Sequence, residues 1–87
     1  MENLVKALDQ TVLFLKHSED LLWGPLSVQE IVDQLETEIN KIKKSQQIDL
    51  KRLSYLFAPT GCIQDISIDN SWKNEFIELS NIIDQFT

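Results

Sequence analysis

Glycine and proline interrupt this chain at only two places, Gly24-Pro25 and Pro59 to Gly61. Both residue types punctuate regular structure, proline by lacking a backbone donor and glycine by its conformational freedom. With so few breakers, long regular elements are expected, and the apolar residues between the breakers recur at helical spacing. Leu4, Val5, Leu8, Val12 and Leu15, widened by Leu13 and Phe14, predict a first helix over 2–17. Ser18-Glu19-Asp20 then either prolongs it or restarts as one turn capped by Ser18, before Gly24-Pro25 ends any helix. Leu21, Leu22 and Trp23 read as a lid on the core.

Ser27-Val28-Gln29-Glu30 has the form of a capping box, with Leu26 and Ile31 placed for a hydrophobic staple. A second helix over 28–45 follows on Ile31, Leu35, Ile39 and Ile42, with Val28 and Val32 beside them. Its acids, Glu30, Asp33, Glu36 and Glu38, precede its bases, Lys41, Lys43 and Lys44, an order that suits the helix dipole. After Ser45-Gln46-Gln47, Asp49 is placed to cap a third helix over 50–57, with Ile48 and Leu53 as a second staple and Leu50, Leu53, Leu56 and Phe57 as its buried face. Pro59 stops it.

Between Ala58 and Asn70, Ile63, Ile66 and Ile68 stand among polar residues without helical order, and Ile66 to Asp69 alternates like a strand that has no partner. An ordered non-helical connection over 58–70 is expected. Trp72, Phe76, Leu79, Ile83 and Phe86 then form the cleanest stripe, capped by Ser71 or Asn70 and widened by Ile77 and Ile82. This helix, over 72–86, is expected at the centre of the core. The fold class is therefore all-α: one domain over 1–87, a small bundle of four helices with an ordered loop.

An apolar share of 43 % argues against disorder despite a net charge of -6. The start carries no basic run followed by an apolar one, and no stretch approaches the ~18 apolar residues of a membrane span, so neither a signal peptide nor a membrane is expected. The lone Cys62 cannot form an internal disulfide, which fits a reducing cytoplasm. Acidity disfavours nucleic acid, although five of the eight basic residues fall between Lys41 and Arg52 and would touch phosphate if the second and third helices formed a helix-turn-helix.

Catalytic and cofactor chemistry finds little support. His17 is the only histidine, so a metal site would depend on carboxylates and one thiol, and none is expected. Near a helix C-terminus an imidazole simply favours the dipole. Cys62 lacks an evident base. Glu36 and Glu38 are two apart on a helix and face different ways, so a solvated acidic face is the default over an acid and base pair, as it is for Asp65 and Asp69. Pro59-Thr60-Gly61 lacks the further glycines and lysine of a phosphate loop, and the stretch from Asp65 to Asn70 lacks the central glycine and final glutamate of a calcium loop. No enzyme and no cofactor are expected.

The run Leu56-Phe57-Ala58-Pro59-Thr60-Gly61-Cys62-Ile63-Gln64-Asp65-Ile66-Ser67, followed by Asn70-Ser71-Trp72 and Glu75-Phe76, resembles a motif of small uncharacterised bacterial proteins, L-F-A-P-T-G-x-L-Q-E-x-S with N-x-W and E-F. Ile63 and Asp65 replace the Leu and Glu of that pattern. The resemblance implies a bacterial source and an ordered Pro59 to Asp65 loop, and supplies no catalytic residues. In length, acidity and helical form the chain is also similar in type to the immunity proteins of nuclease colicins, which implies an acidic helical face turned to a basic protein partner. The expected partner-binding residues are accordingly Glu30, Asp33, Glu36 and Glu38 with Thr60, Gln64 and Asp65. The alternative is a structural or regulatory homodimer formed through Leu21, Leu22 and Trp23 or the apolar face of the last helix.

Overall fold

A computed structural model of the chain describes residues 2–20, 26–59 and 61–87. The described residues form five helices: α1 Glu2–Lys16, α2 Val28–Lys43, α3 Leu50–Leu56, α4 Cys62–Asp69 and α5 Lys73–Asp84. The expected lid, Leu21 to Trp23, and the Gly24-Pro25 stop lie outside the described residues. The all-helical class holds, but most of the expected non-helical loop over 58–70 is the helix α4.

α1 buries Leu4, Ala7, Leu8, Thr11, Val12 and Leu15, a continuous stripe at helical spacing. Thr11 is fully buried without an unpaired hydroxyl, because its Oγ1 donates to the Ala7 carbonyl at 2.8 Å. Leu13, expected to widen the stripe, is half exposed, while Phe14 packs against the core edge. Ser18 neither prolongs the helix nor caps another turn at Glu19 and Asp20, which are non-helical; its hydroxyl donates back to the Phe14 carbonyl at 2.7 Å.

The capping box of α2 forms as expected: Ser27 Oγ accepts from the Glu30 N–H at 3.1 Å, and Glu30 Oε1 accepts from the Ser27 N–H at 3.0 Å. Asp20 Oδ1 accepts from the Val28 N–H at 2.6 Å, so another orphan donor of the first turn is met from outside the helix. Leu26 packs against the core that contains Ile31, completing the staple. At the far end Ser45 takes a left-handed conformation, with φ of 56°. The Gln46 N–H reaches the Lys41 carbonyl at 2.7 Å and the Ser45 N–H reaches the Ile42 carbonyl at 3.0 Å, a Schellman closure with serine where glycine is usual.

In α3, Asp49 caps by accepting from the Arg52 N–H at 3.0 Å, and Leu53 and Leu56 are buried with Phe57 behind them. Leu50, expected in that face, is 42 % exposed. A tight turn follows, in which the Gly61 N–H donates to the Ala58 carbonyl at 2.9 Å. A Cβ on Gly61 would lie 3.1 Å from the carbonyl oxygens of both Leu56 and Tyr55, closer than an ordinary van der Waals contact, so any larger residue would press on the turn's backbone.

α4 buries Cys62, Ile63, Ile66 and Ser67, a helical stripe in which a thiol and a hydroxyl flank two isoleucines. Its β-branched residues disfavour a helix by at most about 0.7 kcal/mol each, whereas full burial of each of Ile63 and Ile66 contributes about 1.5–3 kcal/mol. Packing therefore overrides local preference. Ser67 Oγ donates to the Gln64 carbonyl at 2.6 Å, which allows it to be buried. The helix closes as α2 does: Ser71 has φ of 67°, and the Trp72 N–H reaches the Ser67 carbonyl at 2.8 Å. Ser71 and Asn70 thus end α4, and neither caps α5, whose N-cap position is Trp72.

α5 packs against α1, α4 and α3, while α2 packs chiefly against α1. Trp72, Phe76, Leu79 and Ile83 are buried, which puts the last helix at the centre as its stripe predicts; Ile77 is instead 45 % exposed. A row of aromatic rings links three elements. Phe14 stacks on Trp72 at 4.9 Å, Trp72 meets Phe76 edge-on at 6.5 Å, and Phe76 lies parallel to Phe57 at 6.2 Å.

Candidate functional site

The helical period of α2 separates its acidic residues into two populations. Glu30, Asp33 and Glu36 recur every three residues and lie on the exposed side, opposite Ile31, Val32, Leu35 and Ile39. Each has one local partner. Glu30 serves the capping box, Asp33 Oδ1 accepts from Gln29 Nε2 at 2.8 Å, and Glu36 Oε1 lies 3.8 Å from Lys16 Nζ of α1. The Lys16 pair is about half exposed on both sides, where an ion pair stabilises by ~1 kcal/mol at most. The stripe keeps free carboxylate oxygens toward solvent.

Glu38 does not belong to that face. It lies on the buried side with Leu35 and Ile39 and is fully buried. Its Oε1 accepts from the Asp49 N–H at 2.9 Å and from Lys41 Nζ at 3.3 Å, while Oε2 is buried and meets no hydrogen-bond donor among the described residues. A residue expected to greet a partner instead ties the end of α2 to the cap residue of α3. The sequence carries the signal, since position 38 falls between Leu35 and Ile42 on the apolar stripe.

The two halves of the expected site occupy different elements. Gln64 and Asp65 sit in the first turn of α4, which packs against α5, whereas the acidic stripe is on α2. Asp65 is exposed. Gln64 is half-buried, its Oε1 buried without a partner among the described residues, beside a shallow groove of about 190 Å³ whose walls include Pro59, Ile77 and Asn81. Thr60 lies outside the described residues.

Most of the LFAPTG-like run is packing. Phe57, Cys62, Ile63, Ile66, Ser67, Trp72 and Phe76 are buried, and Gly61 is enclosed by carbonyls. Asn70, expected only as a cap, joins two segments: its Oδ1 accepts from the Glu19 N–H at 3.0 Å, and its Nδ2 donates to the carbonyls of Glu19 at 3.2 Å and Ile66 at 2.9 Å. Trp72 Nε1 donates to Ser18 Oγ at 2.9 Å, so the N-x-W pair fastens the end of α1 to the α4–α5 corner.

His17 is exposed at the end of α1, its Nδ1 2.8 Å from the Leu13 carbonyl. Cys62 is buried. Among the described residues, no group of three His, Cys, Asp or Glu side chains is placed to hold a metal ion, and no helix is long and apolar enough to cross a membrane. Comparison with known protein families, curated proteins and solved structures returns no match.

Proposed function

We propose that this chain is a non-catalytic protein-binding module, of immunity or antitoxin type, that neutralises a basic protein partner through the exposed acidic stripe of α2. The observation that supports this reading is the solvent exposure of Glu30, Asp33 and Glu36 at regular spacing on one helix of a chain of net charge -6. Repeated carboxylates on a rigid element steer a cationic partner and fix its register. The bacterial cytoplasm is the setting this reading requires. Its test is affinity capture with the wild-type chain and with Asp33→Lys/Glu36→Lys, positions outside the capping box. Loss of the captured partner is expected, an unchanged set of bound proteins overturns the reading, and a toxin gene beside this one would favour it.

A homodimer is the second reading, and the exposed Ile77 on α5 favours it. Sedimentation equilibrium of wild type and Ile77→Lys separates the two readings. A wild-type chain that stays monomeric at high concentration removes the dimer.

A further inference from the structure

The corner between α2 and α3 combines an open apolar groove, exposed lysines next in sequence to its wall residues, and unused backbone donors. The groove, of about 450 Å³, is walled by Ile42, Ile48 and Leu50 with the polar Ser45 to Gln47 segment across it. Leu50 is 42 % exposed although it is a large aliphatic residue, and Ile42 and Ile48 are only partly covered. Lys43, Lys44 and Lys51 adjoin these wall residues in sequence, are exposed, and have no ion-pair partner among the described residues. The basic residues that are engaged, Lys41 and Arg52, face Glu38 and Asp49. The N–H groups of Gln47 and Ile48, in a non-helical stretch, reach no protein acceptor among the described residues. Glu38 ties the end of this segment to α2 through the Asp49 N–H.

From this arrangement we infer that the corner docks an acidic peptide segment carrying an apolar anchor residue. The anchor fills the space between Ile42, Ile48 and Leu50. Its flanking carboxylates meet Lys43, Lys44 and Lys51, and its backbone or carboxylate oxygens accept from the free amides. Charge complementarity selects this occupant: the rest of the chain repels acidic ligands, while this corner alone concentrates cations around an apolar wall. The surface is separate from the acidic stripe of α2 and calls for the opposite chemistry in its partner.

The test is a titration of the ¹⁵N-labelled full chain with a short blocked peptide in which one leucine is flanked by glutamates, followed by amide shifts. Perturbations should concentrate over residues 42–52, and binding should weaken by about tenfold or more in Lys43→Glu/Lys44→Glu, with added salt, or when serine replaces the peptide leucine. Lys43 and Lys44 are exposed, so the reversal costs the end of α2 only its favourable dipole contacts, about 0.3–1 kcal/mol each. Asp33→Lys/Glu36→Lys should bind the peptide as wild type does, which separates this surface from the proposed function. Perturbations elsewhere, or affinity unchanged in the lysine variant, would overturn the inference. So would binding of duplex DNA or phosphatidylglycerol vesicles at this corner in place of the peptide.

Discussion

The side-chain amide of Asn70 pairs with the backbone of Glu19 in both directions, accepting the N–H and donating to the carbonyl as a neighbouring peptide unit would. The two residues are 51 apart in sequence, so one side chain supplies what a strand partner supplies in a sheet. Its third bond, to the Ile66 carbonyl, anchors the amide to the end of α4. Replacement of Asn70 by Ala should cost about 1–3 kcal/mol, the sum of these bonds discounted for their partial exposure. Asn70→Asp keeps the acceptor, loses both donations and should recover little. Urea denaturation of the three proteins checks this, and an Asp variant as stable as wild type would show that only the acceptor matters.

Two serines occupy the left-handed position that closes a helix. Ser45 after α2 and Ser71 after α4 have φ of 56° and 67°, where a Cβ is unfavourable by about 1–2 kcal/mol. Glycine removes that cost but enlarges the unfolded ensemble, so Ser45→Gly and Ser71→Gly should each stabilise by a net of about 0.5–1 kcal/mol. The residues do not touch, and the double variant should be additive. Thermal unfolding reads the gain. A loss at either site would mean that the serine hydroxyl contributes more than the backbone strain costs.

These serines also show where the sequence is readable and where it is not. The stripes of α1, α2 and α5, the Ser27 to Glu30 box and the Asp49 cap announce themselves because each rests on spacing within a few residues. α4 is hidden, since its buried face includes Cys62 and Ser67, its isoleucines favour strands, and its end is a left-handed serine where a glycine would have marked it. At the candidate site, the exposure of Glu30, Asp33 and Glu36 follows from the period of α2. The burial of Glu38 follows from its place on the apolar stripe, but its bond to the Asp49 N–H and the pairing of Asn70 with Glu19 join separate segments, and no local pattern encodes them.

Gly61 tests how tightly the turn into α4 is built. Its φ of -86° is open to any residue, so a substitution there probes space alone. An added methyl would press on the backbone oxygens of Leu56, Tyr55 and Ala58, none of which can rotate away as a side chain can. Gly61→Ala should therefore destabilise by about 1–3 kcal/mol through overpacking. Gly61→Ser should be no better. Chemical denaturation measures the loss, and an alanine variant of wild-type stability would mean that the turn yields by a few tenths of an ångström at no cost.

Glu38 offers the sharpest separation of charge from hydrogen bonding. Glu38→Ala leaves the Asp49 N–H and the Lys41 ammonium without their acceptor and opens a cavity beside Leu35 and Ile39, for an expected cost of about 3–5 kcal/mol. Glu38→Gln keeps an oxygen for the Asp49 N–H and gives up only the attraction to Lys41, whose side chain is one-third exposed and so partly served by water. Its amide nitrogen would, however, stand where Oε2 is buried without a donor, and would itself need an acceptor. The glutamine variant should therefore lose about 1–2 kcal/mol, clearly less than alanine. Equal losses would show that the carboxylate charge, and not the bond to Asp49, holds α2 against α3. In that case Lys41→Met should reproduce the glutamine result, since it removes the same attraction from the other side.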